Sequence, residues 1–275
     1  MSEAWQRLVR SRHGALGLIL LFPVVLAVLA GPLLAPHNAD AISFAARLHP
    51  PSARFWLGTD EFGRDILSRI LVGARASVAV AVTATLLGTI SGGLLGTLSA
   101  YLGGMADEAI MRTIDAMMAI PALLLALLVL SSLGKGMFDA SLAIAIAFAP
   151  GMARITRSVA LATRQQDYVN AAIARGESAG WIVLREMGPN VIAPLVVEST
   201  IRVAFAVMLV ATLGFLGLGA QPPAPDWGLM IAEARQYLHQ APWMIVAPGA
   251  AIALTAVGFN LLGDGLRDAL NPRVG

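Results

Sequence analysis

The chain has 275 residues, of which 57% are hydrophobic and only 13% charged, and its mean hydropathy is +0.73. Globular chains carry about 25% charged residues, so a soluble fold is excluded, and so are collagen-like, coiled-coil and disordered classes, which need a triplet period or a high charge content. What remains is an integral membrane protein, and the helical spans read along the chain make it all-α. The net charge of +2 comes from scattered arginines with one lysine, Lys135, which makes nucleic acid a poor partner, and the absence of cysteine removes disulfides, thiolate chemistry and cysteine-based metal sites.

A helix that crosses a bilayer needs about 20 mostly apolar residues. Long intervals between charges predict crossings in the stretches from Arg12 to Asp40, Arg75 to Asp107, Asp115 to Lys135, Arg202 to Asp226 and Arg235 to Asp264, with a sixth between Asp139 and Arg154 that contains Pro150. The first apolar run, Gly14 to about Ala35, follows Arg7, Arg10 and Arg12 but offers no Ala-x-Ala cleavage site, so it reads as an uncleaved first helix. Six crossings put both termini on one side. That side is cytoplasmic by the distribution of arginine, because Arg154, Arg157, Arg164, Arg175, Arg185, Arg267 and Arg273 fall with the N-terminus.

The outer segment that follows, Ala35 to Arg75, interleaves Asp60, Glu61, Arg64, Asp65 and Arg69, a charge mixture suited to a polar rim against a soluble partner. Thr59 or Asp60 could cap a helix there. In the second crossing Gly88, Gly92 and Gly96 repeat every four residues, which places them on one face and lets another backbone approach closely. Leu133-Gly-Lys-Gly136 lacks the earlier glycine and the following Ser or Thr of a nucleotide-binding loop and reads as a tight turn.

The longest cytoplasmic segment, about 157–190, is polar enough to leave the bilayer. Asp167 to Gly176 reads as a short helix with Asp167 as its cap and Gly176 as its left-handed stop, and a second short helix around Trp181 to Met187 is predicted to end before Pro189. Two short helices joined at a glycine suit docking to a partner. Beyond it, Glu198 and Arg202 stand four apart near the cytoplasmic end of the fifth crossing, a spacing that lowers the cost of burying both and points to a structural pair. Asp264, Arg267 and Asp268 close the last crossing. His13, His37, His49 and His239 are too dispersed for a metal cluster.

The stretch Asp167-Tyr-Val-Asn-Ala-Ala-Ile-Ala-Arg-Gly176 with Gly188-Pro189-Asn190 resembles the EAA loop of the membrane-spanning subunits of bacterial ABC importers. The stretches from Leu57 to Arg69, Gly73 to Ser77, Gly214 to Gly219, Asp226-Trp-Gly228, Phe259 to Asp268 and Asn271-Pro-Arg273 are similar to the second permease subunit of the dipeptide, oligopeptide and nickel importer family. The resemblance implies a six-helix type I permease: residues 1–50 form the N-terminus, the first helix and the start of the outer loop, and residues 51–275 form the importer transmembrane domain. It further implies that Asp167, Tyr168, Ala171, Ala172 and Gly176 contact a cytoplasmic ATPase, with Pro189 shaping the turn that follows. Asn170, Glu186 and Gly188 depart from the general motif.

By the same resemblance the partners are a second homologous permease, two cytoplasmic ATPase domains that bind ATP and magnesium, an outer substrate-binding protein that docks on the loop carrying Asp60, Glu61, Arg64 and Asp65, and the bilayer itself. This chain would hold no cofactor and catalyse no reaction. Peptide is the expected cargo and nickel or another metal chelate its competitor. A secondary transporter needs mid-bilayer carboxylates, of which only Glu198 comes near, and a structural subunit of another membrane complex is the remaining alternative. Ala171→Arg or Gly176→Asp is expected to abolish uptake while the protein still reaches the membrane, as read by transport assays beside membrane-fraction immunoblots; normal uptake in either variant removes the assignment of the docking helix.

Overall fold

The structure, a computed structural model, describes residues 2–270, so the Asn271-Pro-Arg273 motif lies outside the described residues. Eleven α-helices follow one another: α1 (Ser2–Arg10), α2 (Arg12–Leu34), α3 (Ile66–Leu102), α4 (Gly104–Met118), α5 (Ala122–Leu133), α6 (Met137–Arg164), α7 (Asp167–Ala174), α8 (Ala179–Trp181), α9 (Gly188–Phe215), α10 (Trp227–Ala234) and α11 (Trp243–Leu270). A π-helical turn, Ile182–Met187, joins α8 to α9, so that residues 179–215 form one continuous helix. Among the described residues no strand forms, and a single bridge links Thr59 to Asp65.

Five helices are long and apolar enough to cross a membrane: α2, α3, α6, the helix 179–215, and α11. The crossing expected between Asp115 and Lys135 is different. It is split between α4 and α5, which meet at an angle of 95°. Pro121 is the cause, since it lacks an amide hydrogen and drives the preceding Ile120 out of helical conformation. With 12 residues, α5 reaches only about 18 Å at 1.5 Å per residue, so it crosses a bilayer only together with α4. The fifth crossing starts earlier than expected, because the apolar run continues back through Gly188 and Arg202 lies within it.

The bundle is assembled on small residues. Gly88, Gly92 and Gly96 face α6, and a Cβ on any of them would press on the backbone carbonyl of Ala145, Ala149 or Ala153 in turn. The repeat of four on α3 therefore meets a repeat of four on α6, which brings the two backbones into contact over most of their shared length. Gly17 of α2 lies against Gly258 and Leu262 of α11, and Gly14 against Gly265. Gly263 makes room for Ile201 of α9.

Two ends of the bundle follow. The loop end carries residues 35–65 and α10; the short-helix end carries α7, α8 and the start of α9. Near the latter, Arg157 of α6 clamps Asp107 of α4, its Nε donating to Oδ1 at 2.6 Å, while Ser99 of α3 donates to the same carboxylate. Arg154 pairs with Asp115 one helical turn along. These pairs hold the polar helix α4 onto α6 across the break.

Gly92→Leu is expected to lose the α3–α6 contact. Overpacking of this kind costs about 1–3 kcal/mol in soluble cores and more here, because the obstructing atom is a carbonyl that cannot rotate away. Size-exclusion profiles and thermal unfolding of the purified protein in detergent check this; a monodisperse variant of unchanged stability refutes the packing role of that glycine face.

Candidate functional site

At the short-helix end α7 is a projecting helix of about two turns with two unlike sides. Val169 and Ala172 are fully buried in a small core with Ala100, Ala160, Ile182, Met187 and Val191. Asp167, Tyr168, Asn170, Ala171 and Ala174 face outward, as does Ile173. The helix ends in a paired hydrogen-bond motif: the amide of Gly176 donates to Ile173 at 3.0 Å and that of Glu177 to Ala172 at 3.2 Å, with Gly176 at φ 76°. That conformation requires glycine, because a Cβ clashes with the neighbouring carbonyl in the left-handed region. Nothing lies within 4 Å of the position a Gly176 Cβ would take, so the constraint is conformational and not one of space.

Three sequence expectations change here. Asp167 is the first residue of α7 and not its cap; Gln166 holds the cap position and makes no side-chain capping bond. Ala172 points into the protein's own core, so it seats α7 and cannot touch a partner, whereas Ala171 beside it is exposed. Pro189 does not end a helix. It lies at the start of α9 after the π turn, in which the amide of Gly188 bonds to Val183 five residues back. Pro189 has no amide to give the carbonyl of Arg185, and widening the helix by one residue per turn relieves the clash of its ring with that carbonyl.

The polar groups around α7 tie it to that π turn. Asn190 donates through Nδ2 to the Tyr168 hydroxyl at 2.9 Å and to the Glu186 carbonyl at 3.0 Å. Arg175 lies 3.6 Å from Glu177 and 3.8 Å from Glu186. Asn170, Glu186 and Gly188 depart from the general motif, and two of them have visible work: Glu186 receives Arg175, and Gly188 supplies the π-turn amide.

At the loop end the expected rim of charges is inverted. Asp60, Arg64 and Asp65 are 5%, 6% and 2% exposed, and the Glu61 side chain is equally covered. Arg64 Nε donates to Asp60 Oδ2 at 2.5 Å and its Nη2 lies 3.5 Å from Glu233 of α10 and 3.8 Å from Glu61. Arg69, 1% exposed, sits 3.8 Å from Asp60 and 3.6 Å from Asp40. Asp60 also accepts the amides of Phe62 and Arg64, each at 2.9 Å. Burial pushes the Glu61 carboxyl up from its ordinary range, and the adjacent Asp60 adds to this. Charges so enclosed lock the loop together and are not available to a soluble partner. Thr59 likewise caps no helix: its hydroxyl accepts the His49 amide at 2.9 Å, and its carbonyl accepts Trp243 Nε1 at 3.2 Å. Asp65 instead caps α3, accepting the Ser68 amide at 3.0 Å.

A second latch was not anticipated. Asp226 caps α10 through the Leu229 amide at 3.0 Å and accepts the Ser77 hydroxyl at 2.9 Å, while Ser77 accepts the Trp227 amide at 3.1 Å. Burial raises the Asp226 carboxyl above its usual range. An aspartate placed directly before a helix start was the available signal; its partner 149 residues away was not. The Glu198–Arg202 pair is also displaced from its expected place, since it lies at the middle of α9 and not near an end.

Residues 90–275 match the family model described as binding-protein-dependent transport system inner membrane component, and residues 1–51 match the one described as N-terminal TM domain of oligopeptide transport permease C. The chain is 45% identical to the Probable D,D-dipeptide transport system permease protein DdpC of Escherichia coli (strain K12), over 94% of this chain and 86% of that one. It is 40% identical to the dipeptide transport system permease protein DppC of Alkalihalophilus pseudofirmus, over 99% and 90%. A solved structure of the MetNI methionine ABC transporter in an inward-facing conformation aligns with a TM-score of 0.58 at 18% identity, covering 74% of this chain and 97% of that one, which shows a shared fold.

Arg64→Met is expected to cost about 3–5 kcal/mol, the usual result of stripping the cation from a buried ion cluster, because Asp60, Glu61 and Glu233 then face one another with only Arg69 between them. Thermal unfolding of the purified protein checks it. A loss confined to binding-protein affinity, with stability unchanged, shows instead that the cluster is a docking rim.

Proposed function

The chain belongs to the family of binding-protein-dependent transport system inner membrane components, and from that premise we propose that it is a transmembrane permease subunit of an ATP-driven importer of di- or oligopeptides. The observation that carries the cargo is the identity of 40–45% to peptide permeases over nearly the whole chain. The exposed face of α7, where Ala171 and Ala174 stand beside Tyr168 and Ile173, fits the remaining requirement, a surface able to seat in a groove of a partner.

In this reading the short-helix end faces the cytoplasm of a bacterial cell and the loop end faces outward. The bent pair α4–α5 counts as one crossing, which makes six and returns both termini to the cytoplasm. The division at about residue 50 separates the N-terminal helix from the importer domain. Asp167, Tyr168, Ala171 and Gly176 enter the ATPase groove, while Ala172 and the π turn before Pro189 hold the helix that presents them. ATP and magnesium belong to the two ATPase domains, and this chain catalyses nothing. A second permease completes the path.

Because Asp60, Glu61, Arg64 and Asp65 are enclosed, the binding protein meets what the loop presents outside them: Ile42, Phe44 and Trp56, at 58%, 74% and 67% exposed. An apolar centre beside charges that rigidify it is a usual anatomy for a protein interface. Docking of the loaded binding protein and closure of the ATPases on ATP then act on the two ends of one rigid bundle, and the cavity between the permeases changes the side to which it opens.

Affinity purification of the tagged protein from mild detergent is expected to recover an ATPase with a nucleotide-binding loop and a second permease, identified by mass spectrometry. Recovery of the chain alone, under conditions in which another ABC importer remains assembled, counts against the proposal.

A further inference from the structure

Arg202 lies at mid-length of α9, about 20 Å from either end at 1.5 Å per residue. Its Nε donates to Glu198 Oε1 at 3.1 Å. Among the described residues no other hydrogen bond engages this guanidinium, and Glu198 Oε2 accepts none, although the two side chains are only 25% and 22% exposed. The guanidinium rests on the Cα of Gly151, where a Cβ would come within 2.8 Å of Nη2, and stands 5.5 Å from the Phe148 ring. Gly151 thus creates room for a charge in the middle of the bundle.

That charge opens onto space. A cavity of about 440 Å³ is lined by Phe148, Glu198, Arg202, Phe205, Met208 and Thr212. On the other side of Glu198 a second cavity of about 330 Å³ continues along α9 toward Pro194 and Arg267. Glu198 lines both cavities and so stands between them, while Arg202 lines the larger one alone. A pair kept only for stability is best enclosed and fully hydrogen-bonded; one that turns free donors and a free acceptor to open space at this depth is ill suited to lipid and calls for water, a ligand or a neighbouring subunit.

We infer that Glu198 and Arg202 form a contact site within the transport path for a zwitterionic peptide, Arg202 receiving the terminal carboxylate and Glu198 the terminal ammonium. This rests on the reading of the chain as a peptide permease. The free edge of a guanidinium matches a carboxylate in two parallel hydrogen bonds, and Glu198 Oε2 remains to accept an ammonium. Phe148, Phe205 and Met208 supply an apolar wall that takes side chains without selecting among them. Because each member already has the other as a partner, release of the peptide leaves neither charge bare, and the site grips transiently.

The test uses the complete importer, with its partner permease, ATPases and binding protein, reconstituted in liposomes and assayed for uptake of L,L- and D,D-dialanine alongside binding-protein-stimulated ATP hydrolysis. The double variant E198Q/R202Q removes both charges together and leaves no ion unpaired. It is expected to lower uptake at least ten-fold while stimulated ATP hydrolysis stays within two-fold of wild type, and Arg202→Lys is expected to fall between. Uptake by the double variant at the wild-type rate overturns the site and leaves a structural pair. If the double variant does not assemble, Met208→Trp, which narrows the cavity and leaves both charges in place, decides the matter: uptake lowered ten-fold supports the site and unchanged uptake overturns it. Absence of uptake of either dipeptide by the wild-type complex overturns the cargo reading together with the site, and so is distinguished from a defect confined to the variants.

Discussion

The close approach of α3 and α6 is the contact on which the other elements depend. Lipid offers no hydrophobic drive for helices to associate, so affinity has to come from backbone proximity and from polar groups that find one another. Gly88, Gly92 and Gly96 provide the first by letting α3 touch the carbonyls of Ala145, Ala149 and Ala153. The second is provided by Arg154 and Arg157, which are carried on the same α6 and hold Asp115 and Asp107 of α4. α6 then runs directly into the turn that starts α7. The exposed face of α7 is thereby fixed to the most closely packed pair of helices in the bundle, which gives it a firm support.

Charge is handled differently at the two ends and in the middle. At the loop end Asp60, Glu61, Arg64, Arg69 and Glu233 are gathered into one covered cluster that fastens residues 35–65 to α3 and α10. At the short-helix end the charges stay in solvent and tie surface elements together, as Arg175 does with Glu177 and Glu186. At mid-length of α9 stand Glu198 and Arg202, and they are neither enclosed nor solvated in bulk. A membrane interior tolerates a charge in one of a few settings, among them a full set of partners or an aqueous path, and the three regions use different ones.

Proline and glycine decide where the chain departs from straight helices. Pro121 separates α4 from α5, and Pro189 is absorbed by a π turn; Gly176 closes α7 by taking a left-handed conformation. The contrast between the two prolines is instructive. Each removes one amide, but the residues before Pro189 are held by Val169 and Ala172 packing on Ile182 and Met187, so the helix widens and continues, whereas the segment before Pro121 has no such core and turns.

The sequence by itself determined the class, the number of apolar runs, the glycine face of α3 and the short helix ending at Gly176, because each of these depends on local periodicity or on the conformational freedom of one residue. The family motifs were legible too, since they are contiguous strings. What only the tertiary structure decided is which side of a local pattern faces its own core. Ala171 and Ala172 are adjacent and chemically identical, yet one is exposed and the other buried; Asp60 and Arg64 look like a solvated rim until α10 brings Glu233 onto them. The same holds for Asp226 with Ser77 and for the groove beside Arg202. Burial is a property of what packs against a residue, and partners more than a hundred positions away leave no periodic trace in the chain.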